Sequence, residues 1–444
     1  MTTGLKIAFV VFVGLIVIFF LIFFGILPGR REPPPPAVTL EFWGAGDAQN
    51  LWSGIITSYK ETNPHVAIEY REIDEETYEE YLVNRLAENQ GPDIFMLKNS
   101  WIEKHKDKIS PLPQTPLNFF PKDFRRIFVD VTADDLVTSK SDILGLPLYV
   151  DTPALFYNKD MLNNAGILNP PKNWEEFKDA ISRIAKRSSE DDTTLDQAGA
   201  AIGTANNVQR SFDILSTIMM QTGTQMVRGG EVNFDGLPPG YDDTAVAPGI
   251  DAVRFYTDFA YAGKEGIYTW NDSMPDSMEA FMQGRVAMVF GYSYHMQQIQ
   301  SKAPQVNFGV VSIPQVDPNR PATSANYWIE GVSRKAAAKN YSWDFLNFIT
   351  QEEQAKAYLE RTGKPAALKS LVQQQLQNEI LKPFATQATY AKSWYHGTNP
   401  ALAESVFRDM INESLQSKGG RLSEERSRLQ GIVVRARARI NSEY

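Results

Sequence analysis

Residues Ile7 to Leu27 read IAFVVFVGLIVIFFLIFFGIL, an unbroken, uncharged run of 21 residues. At the helical rise such a run spans about 30 Å, the thickness of the hydrocarbon core of a bilayer. It is predicted to cross a membrane as one helix, so everything after it must fold on one side. A secretory signal has a shorter apolar region and a small-residue cleavage site, whereas here PGRREPPPP follows directly. An uncleaved signal anchor is therefore expected, with Glu32 to Pro36 as an extended polyproline spacer, so that residues 1–37 form anchor and spacer. Arg30 and Arg31 follow the span and only Lys6 precedes it. By the positive-inside rule alone that would hold the remainder in the cytoplasm, although large domains translocate despite flanking charge.

The 444 residues exceed the roughly 250 to 300 at which single cores stop growing, so two domains are expected. The formal charge of −9 argues against a nucleic-acid surface, which needs clustered Lys and Arg. There is no cysteine, which removes disulfides, thiolate catalysis, zinc ribbons, iron–sulfur ligation and a lipid-modified cysteine anchor.

Folded structure is predicted to begin near Val38. VTLEFW, VAIEYREI and PDIFML read as strands separated by helices over about Asn50 to Thr62 and Glu75 to Asn89. That alternation predicts a largely parallel α/β sheet. In LFYNKDMLNNAGILNPPKNWEEF, Pro170 and Pro171 stop one element. Asn173 caps the next, with Glu176 completing a capping box, and Trp174, Phe177, Ile181, Ile184 and Ala185 form its inward face. Further on, Asp276 and Glu279 cap a helix ended by Gly284. VAMVF and VNFGVVSIP are strands, and SWDFLNFITQEEQAKAYLERTG reads as one helix ended by Gly363. Ser188 to Ala200 and GLPPGYDDTAVAPG read as exposed loops, and Ser423 to Ile440 as a helix with a solvated basic face.

Catalytic motifs are scarce. His65, His105, His295 and His396 are far apart with no H-E-x-x-H pair, and no phosphate-binding G-x-x-x-x-G-K-[ST] occurs. GYSYH at Gly291 to His295 lacks the second glycine of a nucleophile elbow. What recurs is an aromatic or polar group just after a strand. Trp43 leads to Asp47, PDIFML to Lys98, Asn99, Ser100 and Trp101, LPLY to Tyr149 and Asp151, and VAMVF to Tyr292, Ser293 and Tyr294. Ligands of open α/β sheets bind beyond the carboxyl ends of strands, so these groups are expected to converge on one cleft, although Trp43 and Tyr149 singly read equally well as core. Trp270, Trp328, Trp394 and Tyr395 add aromatics in loop-like settings. Aromatic faces with Asp, Asn and Ser suit a neutral polyhydroxylated ligand. An anion would want arginines, and those post-strand groups contain none.

LPLYVDTPALFYNKDMLNNAGILNPPKNWEEF closely resembles the signature of family 1 extracellular solute-binding proteins, the maltose-binding-protein-like receptors of ABC sugar importers. The similarity runs through FW with GxGD, GPDIF, FMQGRVAMVFGYS, FGVVSIP and RTGKPAAL, covering almost all of Val38 to Tyr395. It implies the periplasmic-binding-protein type II fold, two α/β lobes joined by three crossings near Tyr149–Thr152, Val310–Pro314 and Arg361–Ala366. Lobe 1 would be 38–150 with 314–362, and lobe 2 would be 151–313 with 363–444. The resemblance implies ligand contact by Trp43, Asp47, Asn99, Ser100, Asp151, Tyr294, Trp394 and Tyr395, with Trp394 and Tyr395 as the stacking pair, and Tyr149, Trp270, Tyr292 and Trp328 join them as candidates. It also implies a monomer outside the membrane serving ABC permease subunits, with no catalytic residue, metal or cofactor. Ala48 stands where some members carry a lysine, which argues against maltodextrin itself. A surface glycan adhesin or sensor without transport, or a glycan hydrolase, are the other readings of such a cleft.

Overall fold

The structure is a computed structural model that describes residues 3–24, 35–188, 193–240, 242 and 245–443. An exposed helix, Thr3–Phe23, has a mean hydropathy of 3.0 and is the one helix among the described residues long and apolar enough to cross a membrane. Residues 25–27 of the expected span and Glu32–Pro34 of the expected spacer lie outside the described residues.

The folded part has two separate cores. The first surrounds a four-stranded sheet of β1 (Val38–Ala45), β2 (Val66–Ile73), β3 (Ile94–Lys98) and, from much later in the chain, β9 (Trp328–Val332). Its order is β9-β3-β1-β2, with β2 and β3 parallel to β1 and β9 antiparallel to β3. The second sheet is β4 (Ala154–Asn158), β5 (Lys186–Arg187), β6 (Leu195–Ala201), β7 (Val286–Gly291) and β8 (Phe308–Ser312), in the order β8-β4-β7-β6-β5. The parallel expectation holds between β1, β2 and β3, but in the second sheet only β6 and β7 run parallel. The reason is connectivity. β4 arrives from the other lobe rather than through a helical crossover, so nothing constrains it to run with its neighbours.

Local rules set many elements. Asn173 Oδ1 accepts from the Glu176 amide at 2.8 Å, starting the helix Trp174–Ile184, and Trp174 is buried with Nε1 donating to Gln221 Oε1 at 2.8 Å. Asp276 Oδ1 accepts from the Met278 and Glu279 amides, capping the helix Ser277–Met282. Two expectations differ. Part of the Ser188–Ala200 loop is the buried strand β6, whose small residues let the helix approach: a Cβ on Gly199 would lie 2.9 Å from Ile181 Cα. The long helix before Gly363 is two, Lys339–Ile349 and Glu352–Thr362, because Thr350 Oγ1 turns back onto the Leu346 and Asn347 carbonyls and Gln351 is extended.

Core membership changes between Val150 and Ala154, between Ile313 and Tyr327, and for the last time near Ala391 to Trp394. The first two changes fall close to the expected crossings, and the third falls later. After Gly363, the chain doubles back along the first lobe: the Val150 amide donates to the Pro365 carbonyl and the Ala367 amide to the Leu148 carbonyl. Ala366 to Val372, expected in lobe 2, therefore pack in the first core. The helix Lys382–Ala388 then straddles both, with Phe384 in the second core and Ala385 and Ala388 in the first.

Candidate functional site

Between the two cores lies a cavity of about 610 Å³. The first lobe contributes the turn after β1. Gly46 takes φ +67°, a conformation that suits glycine, and it delivers Asp47 to the floor. Asp47 Oδ1 accepts from Lys364 Nζ at 3.0 Å and Oδ2 from the Tyr358 hydroxyl at 2.7 Å, while the Tyr70 hydroxyl donates to its carbonyl at 2.6 Å. Lys364 Nζ also lies 4.3 Å from the centre of the Tyr149 ring. Burial, then the carboxylates of Asp47 and Asp151, push the Tyr149 phenol well above its ordinary range. Trp328 opens β9 on the same side, packed edge-on against Tyr78 and Trp101.

Asp151 sits at the first crossing. Its backbone pairs with Asn326, its Oδ1 accepts from the Thr152 amide at 2.9 Å, and its Oδ2 accepts from the Ser293 amide at 2.9 Å and hydroxyl at 2.6 Å. Burial raises its carboxyl to about 6, against the lowering effect of the Ser293 and Thr152 bonds. The second lobe supplies the turn after β7. Tyr292 is buried and Tyr294 is 49% exposed, the two rings lying 14° from parallel. GYSYH is not a hydrolytic elbow, since Ser293 is bonded to Asp151. His295 Nδ1 accepts from the Tyr292 amide at 2.9 Å and its Nε2 pairs with Gln209 Oε1 at 3.0 Å.

Asp47, Tyr149, Asp151, Tyr292, Tyr294 and Trp328 thus line the main cleft. Asn99, Ser100, Trp394 and Tyr395 line a narrower annex that shares Arg210 and Asn326 with it. There Asn99 is engaged with the Ala325 carbonyl and Ser393 Oγ. Trp394 and Tyr395 are not an open stacking pair. They meet edge-on at 79°, and Trp394, 7% exposed, packs against Phe212 and Phe407. Two candidates are in neither cavity. Trp43 is buried in the first core against Tyr81, because its position in β1 turns it into the lobe. Trp270 is wholly buried in the second, donating to Asn207 Oδ1 at 3.0 Å.

The absence of arginine in the post-strand groups does not extend to the cleft, which Arg210, Arg361, Lys98 and Lys364 also line. Arg210 precedes the helix Ser211–Gln221 with φ +60°, an uncommon value for a residue with a side chain. Its Nε donates to Asp213 Oδ2 at 2.5 Å and its guanidinium carbon lies 5.5 Å from the Tyr292 ring centre. No motif marks it in VQRSFD. Lys364, by contrast, stands in the RTGKPAAL stretch.

Two separately cored α/β lobes joined by three crossings around a lined cleft define a two-lobed ligand-capturing protein. Residues 54–385 match the family of bacterial extracellular solute-binding proteins, and the chain belongs to that family. It is 25% identical over 246 residues, 53% of this chain and 52% of that one, to the sn-glycerol-3-phosphate-binding periplasmic protein UgpB of Yersinia enterocolitica. It is 21% identical over 290 residues, 64% of this chain and 62% of that one, to the galactooligosaccharide-binding protein of Bacillus subtilis. Its fold matches the sugar-binding protein MalE of Xanthomonas citri with a TM-score of 0.73 at 18% identity, covering 91% of this chain and 98% of that one.

Proposed function

We propose that this protein is a membrane-tethered receptor that captures a sugar or oligosaccharide between its lobes, closes on it, and hands it to the permease of an ABC importer. The observation that carries the saccharide reading is the pairing, in one interlobe cavity, of an exposed aromatic face, Tyr294, with a floor of hydrogen-bonding groups at Asp47, Lys364 and Asp151. A ring covers the apolar face of a pyranose, and the polar groups take its hydroxyls. Trp328, Tyr149 and Tyr292 would complete the wall. Asn99, Ser100, Trp394 and Tyr395 would border the annex, holding whatever part of the ligand extends there.

The helix Thr3–Phe23 is the tether, the folded part lies outside the cytoplasm, and the protein works as a monomer. No bond is broken, in keeping with Ser293 and His295 being held by separate partners. The test is titration calorimetry of the full chain in detergent against a panel of mono- to tetrasaccharides, with the products recovered for mass analysis. Binding of at least one member, returned unaltered, is expected. Cleavage of the bound glycan would replace this reading with a hydrolase, and binding of none would remove the saccharide.

A further inference from the structure

Four cations line the cleft, yet three of them already hold a carboxylate. Lys364 Nζ is 3.0 Å from Asp47, Lys98 Nζ 3.1 Å from Glu75, and Arg210 Nε 2.5 Å from Asp213. The fourth, Arg361, places Nη1 on the carbonyls of Asn50 and Leu51. Asp151 adds a deep carboxylate whose hydrogen bonds come from Ser293 and Thr152 rather than from a cation. The inner cleft is therefore balanced in charge despite its four cations.

Two residues line both cavities, Asn326 and Arg210, and of these Arg210 is the charged one. Asp213, in the first turn of the helix Ser211–Gln221, is buried and holds Nε, while Tyr292 lies under the guanidinium. The terminal amino groups are left as donors in a fixed plane, with their positive charge already answered. Such a group suits vicinal hydroxyls. A phosphate or carboxylate arriving there would meet Asp213 and Asp151 as like charges.

Building on the receptor reading above, we propose that Asp213 sets the ligand class: by neutralising Arg210 it makes this cleft select an uncharged saccharide and reject phosphorylated or carboxylated ones. In this the chain would part from a relative named for glycerol 3-phosphate.

The test compares wild type with Asp213→Asn, in which the side-chain oxygen still accepts from Arg210 Nε but the charge is gone. Full-length protein in detergent is titrated with neutral mono- to tetrasaccharides, then with glucose 6-phosphate, glucuronate and glycerol 3-phosphate. Wild type is expected to bind neutral members only, and the variant to gain about tenfold or more in affinity for the anions. Wild type binding an anionic member more tightly than its neutral counterpart overturns the inference while leaving the receptor reading in place. So does a variant that gains nothing for the anions. Wild type binding no member of either group removes the saccharide reading and the inference with it.

Discussion

Gln387 and Thr152 are 235 residues apart in sequence, yet the Gln387 amide donates to Thr152 Oγ1 at 2.9 Å. It also donates to the Pro153 carbonyl at 3.0 Å, and its oxygen accepts from the Ile313 amide at 2.9 Å. Because Gln387 itself lies on the last connection, one fully buried amide ties all three interlobe segments. Gln387→Ala is expected to lower the unfolding free energy by about 3 kcal/mol, since it leaves buried donors and acceptors unmatched. It should also broaden the interlobe distances seen by small-angle scattering. Urea unfolding with an unchanged midpoint would show that the amide is not such a tie.

Tyr294 and Trp394 should behave oppositely when truncated. Tyr294 is half-exposed in the cleft, so Tyr294→Ala is expected to weaken saccharide binding by more than about tenfold with little change in melting temperature. Trp394 is wedged against Phe212 and Phe407, so Trp394→Ala is expected to destabilise by about 3 kcal/mol or more. Calorimetry and thermal melts of both variants would separate the roles. A Tyr294→Ala protein with wild-type affinity removes Tyr294 as the stacking face.

Asp151 and His295 should oppose each other in acid. Burial raises the Asp151 carboxyl to about 6, so the folded state holds a proton that the unfolded state releases, and this group's contribution falls as pH rises from about 4 to about 6. Burial lowers His295 to about 4, so its contribution is intact above about 6.5 and is lost as pH falls toward 4. Each amounts to about 3 kcal/mol and the two nearly cancel. Asp151→Asn should therefore steepen the loss of stability in acid relative to wild type, and His295→Gln should flatten or reverse it. Denaturant unfolding at pH 4, 5, 6 and 7 reads the slope, which a uniform loss of stability does not alter. Parallel slopes for all three proteins would contradict this.

Protease added to intact cells should release the folded part and leave the Thr3–Phe23 helix in the membrane. Complete protection until the cells are opened would put the folded part in the cytoplasm, as Lys6, Arg30 and Arg31 taken alone suggest.

Much of the fold was legible because it is set by neighbours in sequence. Asn173 with Glu176, Asp276 with Glu279, and Gly363 announce helix ends wherever they occur, and the alternation from Val38 to Leu97 dictates three of the four strands of the first sheet, while β9 joins it from a distance. What depended on distant partners was not legible. β6 resembled a loop because Gly199 is small for the sake of Ile181, which sequence cannot reveal. The third crossing looked earlier because nothing local says that Pro365 will pair with Val150. In the cleft, Asp47 and Tyr292 to Tyr294 stand just after strands, where sheet topology concentrates ligand sites, whereas Tyr149 and Asp151 lie ahead of β4, on a stretch held by single bridges to Ala366 and Asn326. Arg210 follows a loop, and its position is set by Asp213 and by Gln209, whose side chain reaches Asp276 and His295. Trp43 and Trp270 share the residue type of a stacking platform but not the placement.

The return of the chain after Gly363 has a kinetic consequence. It puts Lys364 beside Asp47, so that Asp47, Tyr149, Trp328 and Lys364 all belong to one lobe and stand assembled without the other. A ligand can settle on that half and wait. Its rate of arrival should then follow changes in those residues, while its residence time should follow Tyr294 and Arg210, which the other lobe contributes.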